Sequence, residues 1–240
     1  MKLTDFKVLT FDCYGTLIDW ESGIHTALQP LVAKGGVPRS RDEVLETFAR
    51  HESSQEAETP DMIYSDLLAR VHRRIAEEWG IPTSDEEDRR FGQSVGDWPA
   101  FPDSASALQY LQKFYKLVIL SNVDRASFAR SNEKLGVTFD AVYTAQDIGS
   151  YKPDPRNFAY MLEKLAGLGY GKEDILHTAQ SLFHDHVPAK AAGLASAWID
   201  RRRNEGGWGA TPPPRGDARY DFHFASMAEM AKAHQDALRD

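Results

Sequence analysis

The chain has 240 residues, 42% of them hydrophobic and 27% charged, a composition that suits a globular fold with a buried core and excludes wholesale disorder. Its 28 basic and 36 acidic residues give a net charge of −8, so we expect no nucleic-acid partner. With one cysteine, Cys13, and no apolar run of about 20 residues, we expect a cytoplasmic protein without an internal disulfide or a membrane partner.

Five short apolar runs rich in β-branched residues predict buried strands, at 8–11, 117–120, 141–144, 175–178 and 195–199. Helical patterns follow in the second half of the chain, at 104–114, 125–135, 155–165 and 186–193. Strands that alternate with helices indicate parallel β-α-β units. The predicted fold is therefore a doubly wound, Rossmann-like α/β sheet, in which functional side chains lie just beyond the carboxyl ends of the strands.

The segment 19–100 breaks this alternation, because its pattern is helical throughout. One predicted helix carries an apolar residue at every fourth position, at Ile63, Leu67, Val71 and Ile75. We therefore predict a helical cap domain, residues 19–100, inserted into an α/β core domain formed by residues 1–18 and 101–240. Inserted after the first strand, the cap would lie over the strand ends.

Polar residues follow four of the predicted strands. Asp12 ends the first apolar run, and Ser121 and Asn122 end the second. Lys152 follows the third strand and Asp185 the fourth. A parallel sheet brings these positions to one edge. Aspartate can form covalent intermediates, so Asp12 is a candidate nucleophile, although the same residue alone could simply cap a turn.

Four segments carry a resemblance to a known family: FDCYGTL, LSN, YKPDPRNF and HDHVPAKAAGLASAWIDR. In this order they resemble the motifs of the haloacid dehalogenase superfamily, and more narrowly its (S)-2-haloacid dehalogenase, or type II, branch. The resemblance implies that Asp12 displaces halide from C2 of a short 2-haloalkanoic acid, and that water hydrolyses the aspartyl ester to a 2-hydroxy acid. It implies a small carboxylate substrate, no cofactor or metal, and a homodimer.

The resemblance also implies roles for the residues around Asp12. Thr16 would orient the carboxylate by a hydrogen bond. Lys152 would keep it ionised, because an adjacent cation lowers the pKa of a carboxyl group. Asp185 would position Lys152 and the hydrolytic water.

Substrate binding is implied for a second group of residues. Ser121 and backbone N–H groups near Tyr14 would bind the substrate carboxylate, and Asn122 would face the leaving group. Arg50, in the cap segment TFARHESSQEAE, would bind the departing halide. The alternative interpretation of Arg50 is a surface side chain paired with Glu46 or another acidic neighbour.

Two departures from the superfamily's phosphatases favour attack on carbon. Tyr14 stands where phosphatases carry a second Asp, and a phenol with a pKa of about 10 is a poor proton donor near neutrality. Gln180 and Ser181 stand where they carry a carboxylate, and both are weaker magnesium ligands. A magnesium-dependent phosphatase is thus one alternative. An azetidine-2-carboxylate-type ring-opening hydrolase of the same branch and a non-catalytic binding protein are the others.

Departures from the type II branch lie near Asp185. Leu182 replaces an Asn and Phe158 a Tyr, so two hydrogen-bond partners are lost. His184 and His186 flank Asp185, and on an extended strand the three side chains would face alternate sides, which argues against a shared metal ion. We predict that one imidazole replaces the lost Asn as the base for the hydrolytic water, because imidazole titrates near neutral pH.

Overall fold

The computed structural model describes residues 1–216 and 218–239. Within these ranges the strands are β1 (Val8–Phe11), β2 (Lys116–Ser121), β3 (Ala141–Thr144), β4 (Ile175–Ala179), β5 (Ala195–Ile199) and β6 (Phe222–Phe224). They form one fully parallel sheet in the order β3-β2-β1-β4-β5-β6. The predicted doubly wound α/β fold is confirmed.

Strand β1 lies at the centre of the sheet. All four of its residues are buried, and Leu9 is in register with Leu117 of β2 on one side and Leu176 of β4 on the other. Strands covered on both faces have continuous apolar sequences, which made the first five strands predictable to within about one residue at each end. The strand order changes direction at β1, which is where α/β sheets bind their ligands.

The described α-helices are α1 (Trp20–Gly35), α2 (Arg41–Glu58), α3 (Tyr64–Glu78), α4 (Asp85–Gly92), α5 (Ser104–Leu111), α6 (Arg125–Leu135), α7 (Ala145–Ile148), α8 (Pro155–Gly167), α9 (Val187–Ala191) and α10 (Met227–Ala237). Short 3-10 turns occur at Leu3–Asp5, Ser94–Asp97 and Lys172–Asp174, and a single π-helical turn at Leu182–His186. None of these helices has the length and apolar character needed to cross a membrane. Strand β6 and helix α10 were not predicted.

Residues 20–97, between β1 and β2, form the helical insertion, which contains α1 to α4. Polar residues begin these helices as expected: Ser40 Oγ accepts the backbone N–H of Glu43 at 3.1 Å. Ile18 and Ala100 form an antiparallel bridge, so the chain leaves and re-enters the core at neighbouring points. The backbone N–H of Ser65 donates to Asp124 Oδ2 at 3.2 Å, which ties the start of α3 to the core.

Candidate active site

The turn after β1 fixes the carboxyl group of Asp12. The backbone N–H of Asp12 donates to the carbonyl of Thr178 at 3.1 Å, which holds Asp12 in line with β4. Gly15 has φ of 93°, a left-handed conformation that favours glycine and lets the chain turn back at once. Thr16 Oγ1 donates to Asp12 Oδ2 at 2.8 Å and accepts the backbone N–H of Gln180 at 2.9 Å. The predicted contact between Thr16 and Asp12 is therefore present.

One buried ammonium joins the two catalytic candidates that carry carboxyl groups. Lys152 Nζ donates to Asp12 Oδ1 at 2.9 Å, to Asp185 Oδ1 at 2.7 Å and to the carbonyl of Leu120 at 3.0 Å. Its side chain is 1% exposed, and the three acceptors match the three N–H bonds of an ammonium group. Two carboxylates thus share a single cation.

Burial and charge act against each other in this cluster. Burial raises the pKa of Asp12 above its ordinary value, while Lys152 and Thr16 oppose the rise. Burial favours neutral Lys152, but the charges of Asp12 and Asp185 outweigh it and raise the pKa of the ammonium. Despite burial, Lys152 and His177 hold the pKa of Asp185 well below its usual range. The cluster thus favours the ionised form of Asp185 more strongly than that of Asp12.

His177 is a member of the site that the sequence interpretation missed. It lies in β4, where Nε2 is 2.9 Å from Asp185 Oδ1 and Nδ1 is 2.9 Å from Thr10 Oγ1. Phe158 packs edge-to-face on its ring, with the centroids 5.0 Å apart. Phe158, which replaces the Tyr of the type II branch, therefore lacks its hydroxyl at a position next to His177. The sequence feature that could have identified His177 is a histidine within the apolar strand ILHTA, because a buried imidazole needs hydrogen-bond partners inside the protein.

A small cavity of about 30 Å³ lies between the sheet edge and the helical insertion. The core contributes Asp12, Tyr14, Asn122, Val123, Lys152, Ser181, His184, Asp185 and Thr211. The insertion contributes Trp20, Glu52, Glu56 and Tyr64. Three larger clefts, of about 870, 930 and 140 Å³, are more open to solvent, and Asp12 lines none of them, although Lys152 and Glu56 also line the 930 Å³ cleft. We therefore place the candidate active site in the small cavity.

Two glutamates of α2 face this cavity, and neither was predicted. The hydroxyl of Tyr64 donates to Glu52 Oε1, and Asn122 Nδ2 donates to Glu56 Oε1 at 3.2 Å. Burial raises the pKa of Glu52 to about 7. Burial, with the charge of Glu52 added, raises the pKa of Glu56 well above its ordinary value. The available signal was the segment ESSQEAE, the second half of α2, which has no large apolar residue and therefore buries polar groups where it meets the core.

Arg50 does not line the small cavity, so its role in halide binding stays a prediction. Its guanidinium pairs with Glu78, at 2.7 and 3.0 Å, and it lines the 930 Å³ cleft together with Glu56 and Lys152. Residues two apart on a helix point in nearly opposite directions, so α2 turns Arg50 outward when it turns Glu52 inward. The ion pair of the alternative interpretation is present, with Glu78 rather than Glu46 as partner.

The imidazole rings of the two histidines beside Asp185 lie in different places, as predicted. Their segment is a π-helical turn, however, and not the extended strand we assumed. His184 lines the cavity, with Nδ1 3.1 Å from Ser181 Oγ. Its Nε2 is buried and has no hydrogen-bond partner among the described residues. Burial lowers the pKa of His184 to about 4, so the ring is neutral at neutral pH.

His186 does not line the cavity. It is fully buried outside the cavity lining, where Nε2 donates to the carbonyl of Ala179 at 2.9 Å. Its Nδ1 then accepts the hydroxyl of Ser196 at 3.0 Å. Both ring nitrogens are occupied, so of the two predicted imidazoles only His184 remains available for proton transfer.

The predicted substrate-binding residues are also divided. Asn122 lines the cavity, and its Oδ1 accepts the backbone N–H of Lys152 at 2.6 Å. Ser121 is buried outside the cavity lining, and Oγ has no partner among the described residues. Tyr14 lines the cavity, with its hydroxyl 2.9 Å from Ser131 Oγ and its pKa raised well above 10 by burial. Tyr14 is therefore an even weaker proton donor than an ordinary tyrosine.

The residues present do not fit a magnesium site. Within residues 1–216 and 218–239, no group of three or more His, Cys, Asp or Glu side chains is placed to hold a metal ion. Lys152 lies between Asp12 and Asp185, and the side chain of Gln180 points to the hydroxyl of Thr211 at 3.4 Å.

Comparison with known proteins places the chain in a family. A family model described as haloacid dehalogenase-like hydrolase matches residues 6–178. The chain is a haloacid dehalogenase-like hydrolase. This hydrolase is 27% identical over 169 residues to (S)-2-haloacid dehalogenase 4A of Burkholderia cepacia, covering 66% of its own length and 69% of the relative's.

Solved structures share the fold of the hydrolase. The L-2-haloacid dehalogenase PA0810 has a TM-score of 0.78 and 20% identity, over 96% of this chain and 99% of that one. The L-2-haloacid dehalogenase of Xanthobacter autotrophicus with covalently bound chloropropionic acid has a TM-score of 0.76 and 19% identity, over 96% and 98% of the two chains.

Proposed function

We propose that this hydrolase displaces a leaving group from C2 of a small 2-substituted carboxylic acid through an ester on Asp12, with 2-haloacids as the first substrate class. The observation that carries the proposal is the buried ammonium of Lys152, 2.9 Å from Asp12 and 2.7 Å from Asp185. A carboxylate held by an ammonium and a hydroxyl is an ionised nucleophile with no need of a metal ion. The names of the relatives in Burkholderia cepacia and Xanthobacter autotrophicus support the substrate class.

In the first step, an oxygen of Asp12 forms a bond to C2, and the leaving group departs with the bonding electrons. Thr16 and Lys152 hold one carboxylate oxygen each, so the nucleophile is oriented before substrate binds. Halide leaves without a proton. The reaction therefore needs no acid at Tyr14, where a phosphatase would need one.

In the second step, water attacks the carbonyl carbon of the aspartyl ester and releases a 2-hydroxy acid. His184 is the residue we propose as acceptor of the proton from this water, because it is neutral and Nε2 has no other partner among the described residues. In that role Nδ1 carries the hydrogen and donates it to Ser181 Oγ, which also accepts the backbone N–H of His184 at 2.9 Å. Lys152 remains beside the regenerated Asp12 carboxylate.

Halide release and isotope transfer test this mechanism. The protein is incubated in EDTA and heavy-oxygen water with each enantiomer of 2-chloropropionate, and the Asp12 peptide is then weighed by mass spectrometry. We expect halide release and heavy oxygen in Asp12, because water attacks the aspartyl carbonyl and not C2. Asp12→Asn is the inactive control, and Cys13→Ser controls for the neighbouring thiol. Halide release without label in Asp12, or release abolished by EDTA, would contradict the proposal.

A further inference from the structure

A displacement at C2 directs the leaving group towards the helical insertion. In such a reaction the leaving group departs on the side of C2 opposite the attacking oxygen. Asp12 belongs to the core side of the small cavity, so the opposite side is the one that the insertion covers. Among the described residues, the insertion contributes four side chains to this lining: Trp20, Glu52, Glu56 and Tyr64. In this structure, a group of the insertion that receives the leaving group is therefore one of these four.

Three of the four side chains are engaged elsewhere. The hydroxyl of Tyr64 donates to Glu52 and has no second hydrogen to give. Glu52, with a pKa of about 7, is the carboxyl group of the pair that ionises first, because its charge raises the pKa of Glu56. Trp20 Nε1 packs against Gly15, 3.1 Å from the position that a Cβ atom would take there, and Gly15 lines the 140 Å³ cleft rather than the small cavity. Glu56 remains.

The hydrogen bonds of Glu56 leave one oxygen free to act as a donor. Asn122 Nδ2 donates to Oε1 at 3.2 Å, and Asn122 is held in turn by both backbone groups of Lys152, at 3.0 and 2.6 Å. Among the described residues, this is the one hydrogen bond of the Glu56 carboxyl group. Oε1 is thus the acceptor, and a proton on this carboxyl group belongs to Oε2, where it can point to a ligand.

A second feature marks the cavity as a ligand site. His184 Nε2 and Asp185 Oδ2 are buried without a hydrogen-bond partner among the described residues, and both residues line the cavity. Buried polar atoms of this kind normally have a partner in the protein, in water or in a ligand. The nucleophile, these two atoms and the free oxygen of Glu56 thus belong to the same small site.

We propose that Glu56, with its carboxyl group protonated, donates the hydrogen bond that receives the leaving group displaced from C2. The inference rests on the proposed attack of Asp12 at C2 and adds the group on the other side of that carbon. A neutral carboxyl group stabilises the negative charge that develops on the leaving group, whereas a carboxylate would repel it. The Asp12–C2 bond forms, halide departs with the electron pair of the C2–halogen bond, and the proton stays on Glu56.

The surroundings of Glu56 favour the protonated form. Burial and the charge of Glu52 raise its pKa well above the ordinary value, while Lys152 opposes the rise. The titratable groups that line the small cavity with Glu56, or contact it from the core, are Asp12, Tyr14, Glu52, Tyr64, Tyr151, Lys152, His184 and Asp185. On its other side Glu56 shares the 930 Å³ cleft with Glu46, Arg50, Asp154, Arg156 and Arg215. The ammonium of Lys152 is bonded to Asp12 and Asp185, and Arg50 and Arg156 pair with Glu78 and Asp154.

The pH dependence of the first step follows from this arrangement. Glu52 ionises as the pH rises through about 7, and its new charge holds the proton on Glu56. A further rise in pH removes that proton and places a carboxylate beside the departing anion. Formation of the Asp12 ester should therefore slow down at alkaline pH.

Rapid-quench measurement of ester formation on Asp12 tests the inference, with the reactive enantiomers of 2-chloropropionate and 2-bromopropionate as substrates. Glu56→Gln keeps an N–H donor and cannot ionise, so at neutral pH we expect a rate within about fivefold of wild type, and no alkaline decline. Glu56→Ala removes the donor and should slow ester formation by at least about 10-fold. This loss should be larger for chloride than for bromide, because chloride is the stronger hydrogen-bond acceptor.

A matched control lies on the same helix. Glu58 has a side chain that is 50% exposed and pairs with Arg74. Glu58→Gln makes the same chemical change two residues from Glu56 and should alter neither the rate nor its pH profile.

The outcomes separate the inference from the proposed function. No ester on Asp12 of the wild type with either acid overturns both. Ester formation that is as fast in Glu56→Ala as in the wild type overturns the inference alone, and so does an alkaline decline that is absent from the wild type or retained in Glu56→Gln. Equal losses for chloride and bromide in Glu56→Ala would show a structural role and contradict the inference. So would a loss in Arg50→Ala as large as that in Glu56→Ala. If urea unfolding shows that Glu56→Ala does not fold, the pH profile of Glu56→Gln decides.

Discussion

Replacing Lys152 with methionine tests the central contact of the site. Methionine keeps an unbranched stem but removes an ammonium that is 1% exposed and bonded to Asp12 and Asp185. Two buried carboxyl groups then lack their cation. Removing one partner of a buried ion pair costs about 3–5 kcal/mol. We therefore expect the free energy of unfolding of Lys152→Met at neutral pH to fall by about this amount.

The loss should depend on pH. In the wild type the pKa of Asp185 is depressed on folding, so its contribution to stability is present above its unfolded pKa and is lost as the pH falls. In Lys152→Met both carboxyl groups have raised pKa values, and the variant instead gains stability as the pH falls and they become protonated. The stability difference between wild type and variant should therefore shrink towards acidic pH.

Urea titrations at neutral pH and at about pH 5, with mass spectrometry of the Asp12 ester, provide the assay. We expect no ester at neutral pH, since a protonated carboxyl group is a poor nucleophile. Lys116→Met is the control: its ammonium is 56% exposed and pairs with Asp140 on the surface, so it should cost at most about 1 kcal/mol. If Lys152→Met matched the wild type in stability at neutral pH and still formed the ester, the reasoning would be refuted.

Two further predictions concern α2. Arg50→Ala should leave kcat/KM for every substrate within about twofold of wild type and cost at most about 1 kcal/mol, because Arg50 pairs with Glu78 on the surface; a large loss of halide release would place Arg50 in the site after all. Glu52 has a pKa raised from 4.5 to about 7, so wild-type stability should decline as the pH rises through this range. In Glu52→Gln, the free energy of unfolding should lose about 3 kcal/mol less over this pH range than in the wild type, as measured by urea unfolding at several pH values. The same pH dependence in variant and wild type would contradict the burial of an ionisable Glu52.

The part of the site that belongs to the sheet was predictable from sequence. Strand β1 is apolar because it is covered on both faces, and a polar residue at its end is easy to see. Parallel pairing then places the ends of β2, β3 and β4 at the same sheet edge as Asp12, which is how Lys152, after β3, and Asp185, after β4, could be assigned to one edge. The sequence contains this information because all strands of a parallel sheet end at the same edge. A polar residue that follows a strand can therefore be assigned to that edge.

The part of the site that belongs to α2 was not predictable. Helix α2 has a weak apolar pattern, so its sequence does not show which face of the helix is buried. The sequence therefore could not say whether Arg50 or Glu56 faces the core. Tertiary contacts settle it: the Tyr64 hydroxyl donates to Glu52, and Asn122 to Glu56. Which of His184 and His186 reaches the cavity was open for a related reason, because the segment is a π-helical turn and not the extended strand we assumed. Strand β6 has three residues, too few to show a period.

The size of the small cavity has a consequence for how the enzyme works. A volume of about 30 Å³ leaves room for only about two water molecules. A three- or four-carbon acid is larger than this space, so we expect substrate binding to move the insertion relative to the core. Residues that join the insertion to the core, such as Ile18 and Ala100 in their antiparallel bridge, can therefore govern how fast product escapes without taking part in the chemistry.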